Sequence, residues 1–441
     1  MSLRLTLLTV FCLCAGLPSF AQTKVVTYHD EDQKKVKEVY HIKSVQDSTM
    51  HGTYRRYYPG GEQEALIKFI NGKKDSVYTE FHRNGKPKLE VAFQNDVKHG
   101  PFRIYLENGK LLQEGSYAEG QQSHFFKTYH EDGSPKMEAA FLKGFPEGEV
   151  KEFFPSGQLR SVINYQNSVQ SGLAKTFHPN GKLETEALFK NGMIEGYYRT
   201  YYDNGQLESE ATNVAGKKQG SFKSYYRSGA LFTEGSFKEG KPEGPAKAFY
   251  ENGQLKSSLT YSKGLLTGTA QSFSETETLL EQIRYSNDEK DRKISRYYPS
   301  GNVKEEEQYK DKKKIGEWRS FYDSKQVKVK ETYKDNRLTG ERLTYYESGQ
   351  VEEKTVYENG KLIGASYIYY PSGKVKTETQ HKDGLRFGPH KQFFESGKME
   401  IEGSFRNNKQ TGAWKYFDEK GKVLKTVVYR NGIVQSEKEK E

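Results

Sequence analysis

The sequence predicts an all-β fold: an elongated single-layer antiparallel array of β-hairpins built from about sixteen 24-residue repeats. Three observations carry that expectation. A glycine recurs with a fixed period. Counted as slot 0, it falls at position 52 and at every twenty-fourth residue to 412, and thirteen of these sixteen positions are Gly. The exceptions are Ser76, His124 and Arg292. An aromatic residue stands at slot +5 in all sixteen copies, from Tyr57 and Phe81 to Phe393 and Phe417. A second glycine fills slot +9 in fourteen copies, with Glu277 and Lys325 in the others. A register held this long marks a repeat architecture, which lengthens without enlarging one core.

One unit, Gly196 to Asn213, shows the elements in order. Aromatics lead to a turn at Asp203-Asn204-Gly205, and the chain returns through Leu207, Ser209 and Ala211. Period-two patterning with β-branched and aromatic residues predicts strands. Asn, Asp, Ser or Pro before the slot +9 glycine suits the positive φ of a tight hairpin. Slot +11 is mostly Leu or Val, and slot +17 is Tyr or Phe in fourteen copies, Asn213 and His381 departing. A second turn follows, as at Asn191-Gly192 and Asn359-Gly360. A three-residue loop places slot +5 across from slot +11. The second turn brings slot +17 near slot +2 of the next unit, for example Phe93 near Phe102 and Tyr309 near Trp318. Rings and Leu/Val at these slots are expected to line one face. Two strand spacings give an advance of about 10 Å per repeat.

The flanks and one interior segment depart from the rhythm. Residues 1–21 read as a secretory signal peptide: Arg4, an apolar run from Leu5 to Leu17, then Ser19-Phe20-Ala21. Both cysteines, Cys12 and Cys14, fall inside it, which leaves no thiol for a disulfide, nucleophile or metal site in the rest of the chain. No later apolar run reaches the ~18 residues of a spanning helix. The expected product is exported: periplasmic, envelope-associated or secreted. Residues 22–51 form a cap or worn first repeat, with Lys37-Glu38-Val39 where later units have Gly-x-Leu. Regular repeats occupy 52–273 and 296–435, a degenerate segment 274–295 separates them as a kink or docking point, and 436–441 is a charged tail. Only 34% of residues are hydrophobic against 32 Tyr and 25 Phe, so rings must supply much of the buried area. Removing Arg4 lowers the net charge from +10 to +9. That charge is dispersed among alternating Lys and Glu, unlike a nucleic-acid footprint.

No catalytic constellation stands out, and the expectation is a non-enzyme without cofactor or metal. His82, His130 and His178 share slot +6, but two repeats of spacing, ~20 Å, is far beyond the ~2 Å reach of ligands to one zinc. Glu recurs at slot +14, as at Glu90, Glu114 and Glu138. Beside periodic Lys this reads as a solvated face, not as a paired-carboxylate site. The candidate partner-binding feature is the ring row at slot +6: Tyr202, Tyr226, Tyr250, Tyr298, Tyr322, Tyr346, Tyr370 and Phe394. It is expected on the face opposite slot +5. Such a row suits protein or glycan contact through amphipathic rings; it also serves simply to stiffen a thin sheet.

The unit formed by Gly196, Tyr201, Tyr202, Gly205, Leu207 and Gly216, and its equivalents elsewhere, resembles the MORN-repeat variant, most closely the bacterial YwqK-like antitoxin proteins. The resemblance covers nearly all of the chain beyond residue 21. It implies an elongated hairpin array used for protein, lipid or scaffold contacts. The favoured function is an exported, non-enzymatic binding or scaffold protein for protein or envelope partners, with weak end-to-end self-association at the open edges. Alternatives are toxin neutralisation, which an export signal opposes, and an envelope glycan-binding accessory or hydrolase using Glu275, Glu277 and Glu281.

Overall fold

The computed structural model describes residues 22–439. The signal-peptide reading of 1–21 and the end of the charged tail lie outside the described residues. Those residues hold forty β-strands and no helix, so none is long and apolar enough to cross a membrane as a helix. The chain divides into two compact units, Met1–Lys217 and Lys218–Glu441, each an antiparallel hairpin meander.

The repeat folds as its turn chemistry directs. In the first unit, Met193–Tyr201 pairs with Leu207–Val214, placing Tyr198 across from Ala211 and Tyr201 across from Leu207. Slot +5 thus meets slot +11 as expected. The turn is closed by Tyr202 N–H donating to Gln206 O (2.9 Å) and Gly205 N–H to Tyr202 O (2.8 Å). All fourteen slot +9 glycines have positive φ. So do Glu277 (φ 62°) and Lys325 (φ 70°), which occupy that slot without glycine's freedom. A side chain in this region costs ~1–2 kcal/mol, partly offset by the entropy glycine adds to the unfolded chain. Lys325→Gly is therefore expected to stabilise its hairpin by about 0.5–1 kcal/mol, read as slower amide exchange in Val327–Lys334.

Slot 0 works differently. Phe189 pairs with Ile194 and Ala187 with Tyr198, so three residues around Gly196 oppose one. This bulge puts all thirteen slot 0 glycines at positive φ. At 274–295, where Arg292 stands in slot 0, the strands Leu279–Ser286 and Asp291–Tyr297 pair without interruption. The extra length moves into the turn, where Asn287, Asp288 and Glu289 all take positive φ. The degenerate segment is therefore a complete hairpin with its irregularity relocated.

The cap is a true first repeat. Thr23–Tyr28 pairs with Val36–Ile42. Val36, not Val39, holds the slot +11 place across from Tyr28. A seven-residue loop, 29–35, replaces the usual five, and three extra residues between Ile42 and Gly52 shift the equivalence by three from Lys37-Glu38-Val39.

The face assignment needs a correction. Slots +2 and +5 lie three residues apart on one strand, so they point to opposite sides. Slots +2, +15 and +17 form the ring face, which holds most of the buried apolar residues: Phe102 (3% exposed), Trp318 (8%) and Trp414 (3%) among them. Tyr309 and Trp318 meet as expected, with centroids 5.3 Å apart. Phe102 instead pairs with Val91 and stacks on Tyr117 at 4.9 Å. The slot +5 rings sit on the other face among charges. Tyr105 donates to Glu90 (2.9 Å) and Tyr129 to Glu114 (2.8 Å). Burial, then that carboxylate, raises the Tyr129 phenol to about 12. No large side chain among the described residues is wholly buried, which fits one layer with no second sheet against it.

Candidate functional site

The slot +6 row runs along the five-residue-turn edge. Its side chains lean toward the ring face, because slot +12, which shares their side, pairs with slot +4 (Lys88–Glu80, 2.7 Å). In the second unit six phenols donate to the backbone carbonyl of slot +5 in the next repeat. Tyr226 reaches Phe249 O at 2.9 Å, Tyr250 Phe273 O at 2.8 Å, and Tyr298 Phe321 O at 2.8 Å. Tyr322, Tyr346 and Tyr370 make the same bond to Tyr345, Tyr369 and Phe393 at 2.7–2.9 Å. Histidine substitutes for tyrosine in this role. His82, His130 and His178 place Nε2 at 3.2, 3.2 and 2.8 Å from the equivalent carbonyls, which can only accept, so Nε2 carries the proton. The shared histidine slot thus marks a backbone tie.

Two further ties strengthen the edge. Asn84 and Asn180 amides donate to Glu107 O and Asp203 O. Lys86, Lys110 and Lys182 ammonium groups donate to Asn108, Asp132 and Asn204 carbonyls. Repeat n is therefore laced to repeat n+1 at several heights. The rings remain half-buried, and cations lie over them: Lys256 is 5.2 Å from the Tyr250 centroid, Lys328 5.3 Å from Tyr322 and Lys376 5.4 Å from Tyr370. Partial burial, then nearby Glu352 and Glu347, raises the Tyr322 phenol, so it stays a donor at neutral pH. Tyr202 holds the same slot in the first unit; in the second, Phe394 has no hydroxyl and contributes a ring alone. The candidate residues are thus aligned as a row, not gathered into a pocket.

The carboxylates considered for hydrolysis are not brought together as a pair. Glu275 and Glu277 lie in the turn before Leu279–Ser286, while Glu281 is bound to Arg296 at 3.0 Å. The slot +14 glutamates pair with slot +3 cations, as in Lys127–Glu138 (2.9 Å) and Lys175–Glu186 (3.3 Å). Their lysines are exposed to solvent, and such pairs are worth little individually.

Sequence reasoning missed the cations of the ring face. Lys314 lies 4.1 Å from the Trp318 centroid and 4.9 Å from Tyr333, and Lys218 lies 4.7 and 5.1 Å from Phe222 and Phe237. The signal was a recurrent Lys two residues before slot 0. It also missed a charged interruption of that face. Arg296 holds Glu281, Glu305 and Glu307 at 3.0, 3.0 and 2.8 Å, and Arg342 holds Glu331 and Glu353 at 3.3 and 3.1 Å. Near the C-terminal end, His390 stacks on Phe405 and Trp414 at 5.3 and 5.5 Å and bonds Thr379 at 2.8 Å. Burial, then Arg386, lowers its pKa below 6.5, and burial lowers that of His381 as well. The unfolded chain then binds these protons more readily, so their neutral state supports folding fully above pH 6.5 and less as pH falls below it. Thermal scans between pH 7.5 and 5.5 should show a declining Tm that flattens in a His381→Gln, His390→Gln variant; an unchanged slope would exclude these groups.

Hairpins tied edge to edge within each unit, with no single cleft gathering the candidate residues among the described residues, define a β-hairpin repeat protein. The MORN repeat variant pattern matches twelve segments between residues 98 and 437, together more than half of the chain. The chain belongs to the MORN repeat variant family. No curated protein matches it. Among solved structures it is similar to a TcdB2–TccC3–Cdc42 complex, at 11% identity over 92% of this chain and 27% of that one, with a TM-score of 0.15. A Photorhabdus luminescens Tc holotoxin pore gives 11% identity over 93% and 23%, TM-score 0.14. The chain spans about a quarter of those chains.

Proposed function

We propose that this protein is an exported, non-enzymatic scaffold that binds protein or envelope partners along its repeated edge. The observation that supports this reading is the slot +6 row: half-exposed rings in register from Tyr226 to Tyr370, interrupted at Ser274, with a lysine over Tyr250, Tyr298, Tyr322 and Tyr370. Aromatic and cationic surfaces of this kind suit interfaces. A row gives many equivalent weak contacts, and avidity follows from their number. Uniform repetition does not suit catalysis, which needs distinct groups held around one reacting atom.

The test is affinity capture of the tagged chain after cross-linking intact cells, read by mass spectrometry. Tyr298, Tyr322 and Tyr346 are replaced together, once by Phe and once by Ser. Phe keeps the rings and loses the ties; Ser loses both. A recurrent envelope partner kept by the Phe variant and lost by the Ser variant is the expected result. Equal capture by both variants would remove the rings from the interface. Capture of cytoplasmic partners by a form retaining Met1 would favour toxin neutralisation instead.

A further inference from the structure

The ring face contains one place built for a ring that the chain does not itself supply. Slot +15 is glycine at 115, 235 and 403. Gly115 lies across from both Phe102 and Phe126. A Cβ there would come within 2.7 Å of the Phe102 ring. Gly403 lies across from His390, and a Cβ there would come within 2.2 Å of Trp414. Glycine at this slot therefore makes room for rings on either side. Gly235 faces Phe222 on one side. On the other its nearest side-chain neighbour is the Ala246 methyl, 3.3 Å from where its own Cβ would be.

The other slot +2 alanines differ. Ala174 and Ala270 pair with Ile163 and Ile283 and are buried. At Ala246 a groove of about 240 Å³ opens, floored by Gly235, Ala246 and Ala248 and walled by Phe237, Leu259 and Tyr261. That is below the ~300–1,000 Å³ of pockets that take a whole small ligand, and suits one side chain. Its flanking slot +17 residues, Phe237 and Tyr261, correspond to Tyr309 and Tyr333, which hold the Trp318 ring between them at 5.3 and 5.0 Å.

Charge narrows the partner further. From Lys218 to Ser274, slots −2, 0, +2, +4, +6, +12, +13, +15 and +17 carry Lys218 and Lys256 and no carboxylate, while Glu234, at slot +14 and also lining the groove, is paired with Lys247 at 4.0 Å. From Glu281 to Glu353 the same slots mix both signs: Glu281, Glu305, Glu307, Glu331, Glu352 and Glu353 stand among Lys290, Arg292, Arg296, Lys304, Lys314, Lys328 and Arg342. An acidic segment is attracted to the first stretch, where cations stand without carboxylates in these slots, more than to the second, where the two signs offset each other.

We propose that the groove at Ala246 seats a single aromatic side chain carried on an acidic segment of a partner protein. The proposal rests on the binding reading above but uses residues other than the tyrosine row. The experiment titrates the full chain with a fluorescein-labelled EEWEE peptide, read by anisotropy, beside EEAEE and KKWKK. EEWEE should bind saturably and roughly tenfold or more tighter than either control. Ala246→Phe, which fills the groove from within, should abolish that preference with an unchanged circular dichroism spectrum. Lys218→Glu should weaken EEWEE binding most at low salt. Replacing Tyr298, Tyr322 and Tyr346 by Ser should leave it intact, which separates this site from the edge row. Equal binding of EEWEE and EEAEE to the unmodified chain overturns the proposal, whether or not the Ala246→Phe variant folds. So does undiminished EEWEE binding by a folded Ala246→Phe chain.

Discussion

Trp318→Ala should cost about 3–5 kcal/mol, the range for removing a large buried ring, and the loss should be local. Trp318 is 8% exposed, stacks on Tyr309 and Tyr333 and donates from its indole N–H to Gln308 O at 3.2 Å. It thereby joins the hairpins before and after it. In a repeat array, stability is a sum of unit and nearest-neighbour terms. Amide exchange should therefore accelerate in Val303–Lys310, Gly316–Phe321 and Val327–Lys334, while Met399–Arg406 and Val423–Arg430 keep their protection. Uniform loss of protection over the second unit would refute the nearest-neighbour picture. A cost below ~1 kcal/mol would show that the thin sheet repacks around the gap.

Arg296→Ala is expected to cost about 2 kcal/mol at neutral pH. Breaking a buried charge network by removing one partner costs ~3–5 kcal/mol; Arg296 retains 36% side-chain exposure, so solvent screening reduces the effect. The variant leaves Glu281, Glu305 and Glu307 close together without their shared cation. Glu307, at 13% side-chain exposure, is the least solvated of the three. Like charges raise carboxylate pKa values. The unpaired glutamates then bind protons more readily folded than unfolded, so the gap between variant and parent should narrow from pH 7 toward pH 4.5. Adding Glu307→Gln to Arg296→Ala should recover part of the loss. A deficit that does not change with pH would assign the effect to the packing of the Arg296 stem rather than to charge.

The repeat was legible because its turns demand particular residues. Gly205 and its equivalents need positive φ, and the chain announces that need every 24 residues. Strand pairing across the turn followed, and Tyr201 does meet Leu207. The faces were harder. Aromatics occupy slots +2, +5, +6 and +17 alike, so ring content alone does not separate a buried row from a charged one. Only the side-chain parity between Trp318 and Phe321 does that. In the cap, three extra residues between Ile42 and Gly52 displaced the equivalence from Val39 to Val36, and no glycine remained to mark the change. The candidate tyrosines were found by periodicity, but their hydroxyl partners are backbone carbonyls a whole repeat away, as in Tyr322 to Tyr345. Backbone acceptors leave no trace in residue identity. The groove at Ala246 was missed for a related reason, since an alanine in a ring slot reads as an ordinary small residue until Gly235 is seen beside it.

The lacing of each turn edge runs from one turn to the equivalent turn of the following unit, 21 to 23 residues away. Excision of one whole period, such as residues 316–339, would therefore hand every dangling donor an equivalent acceptor. Excision of a single residue would misalign two adjoining hairpins. Genetic length variation in such a chain is quantised. Its reach changes in steps of about 10 Å, while the chemistry presented at each step stays the same.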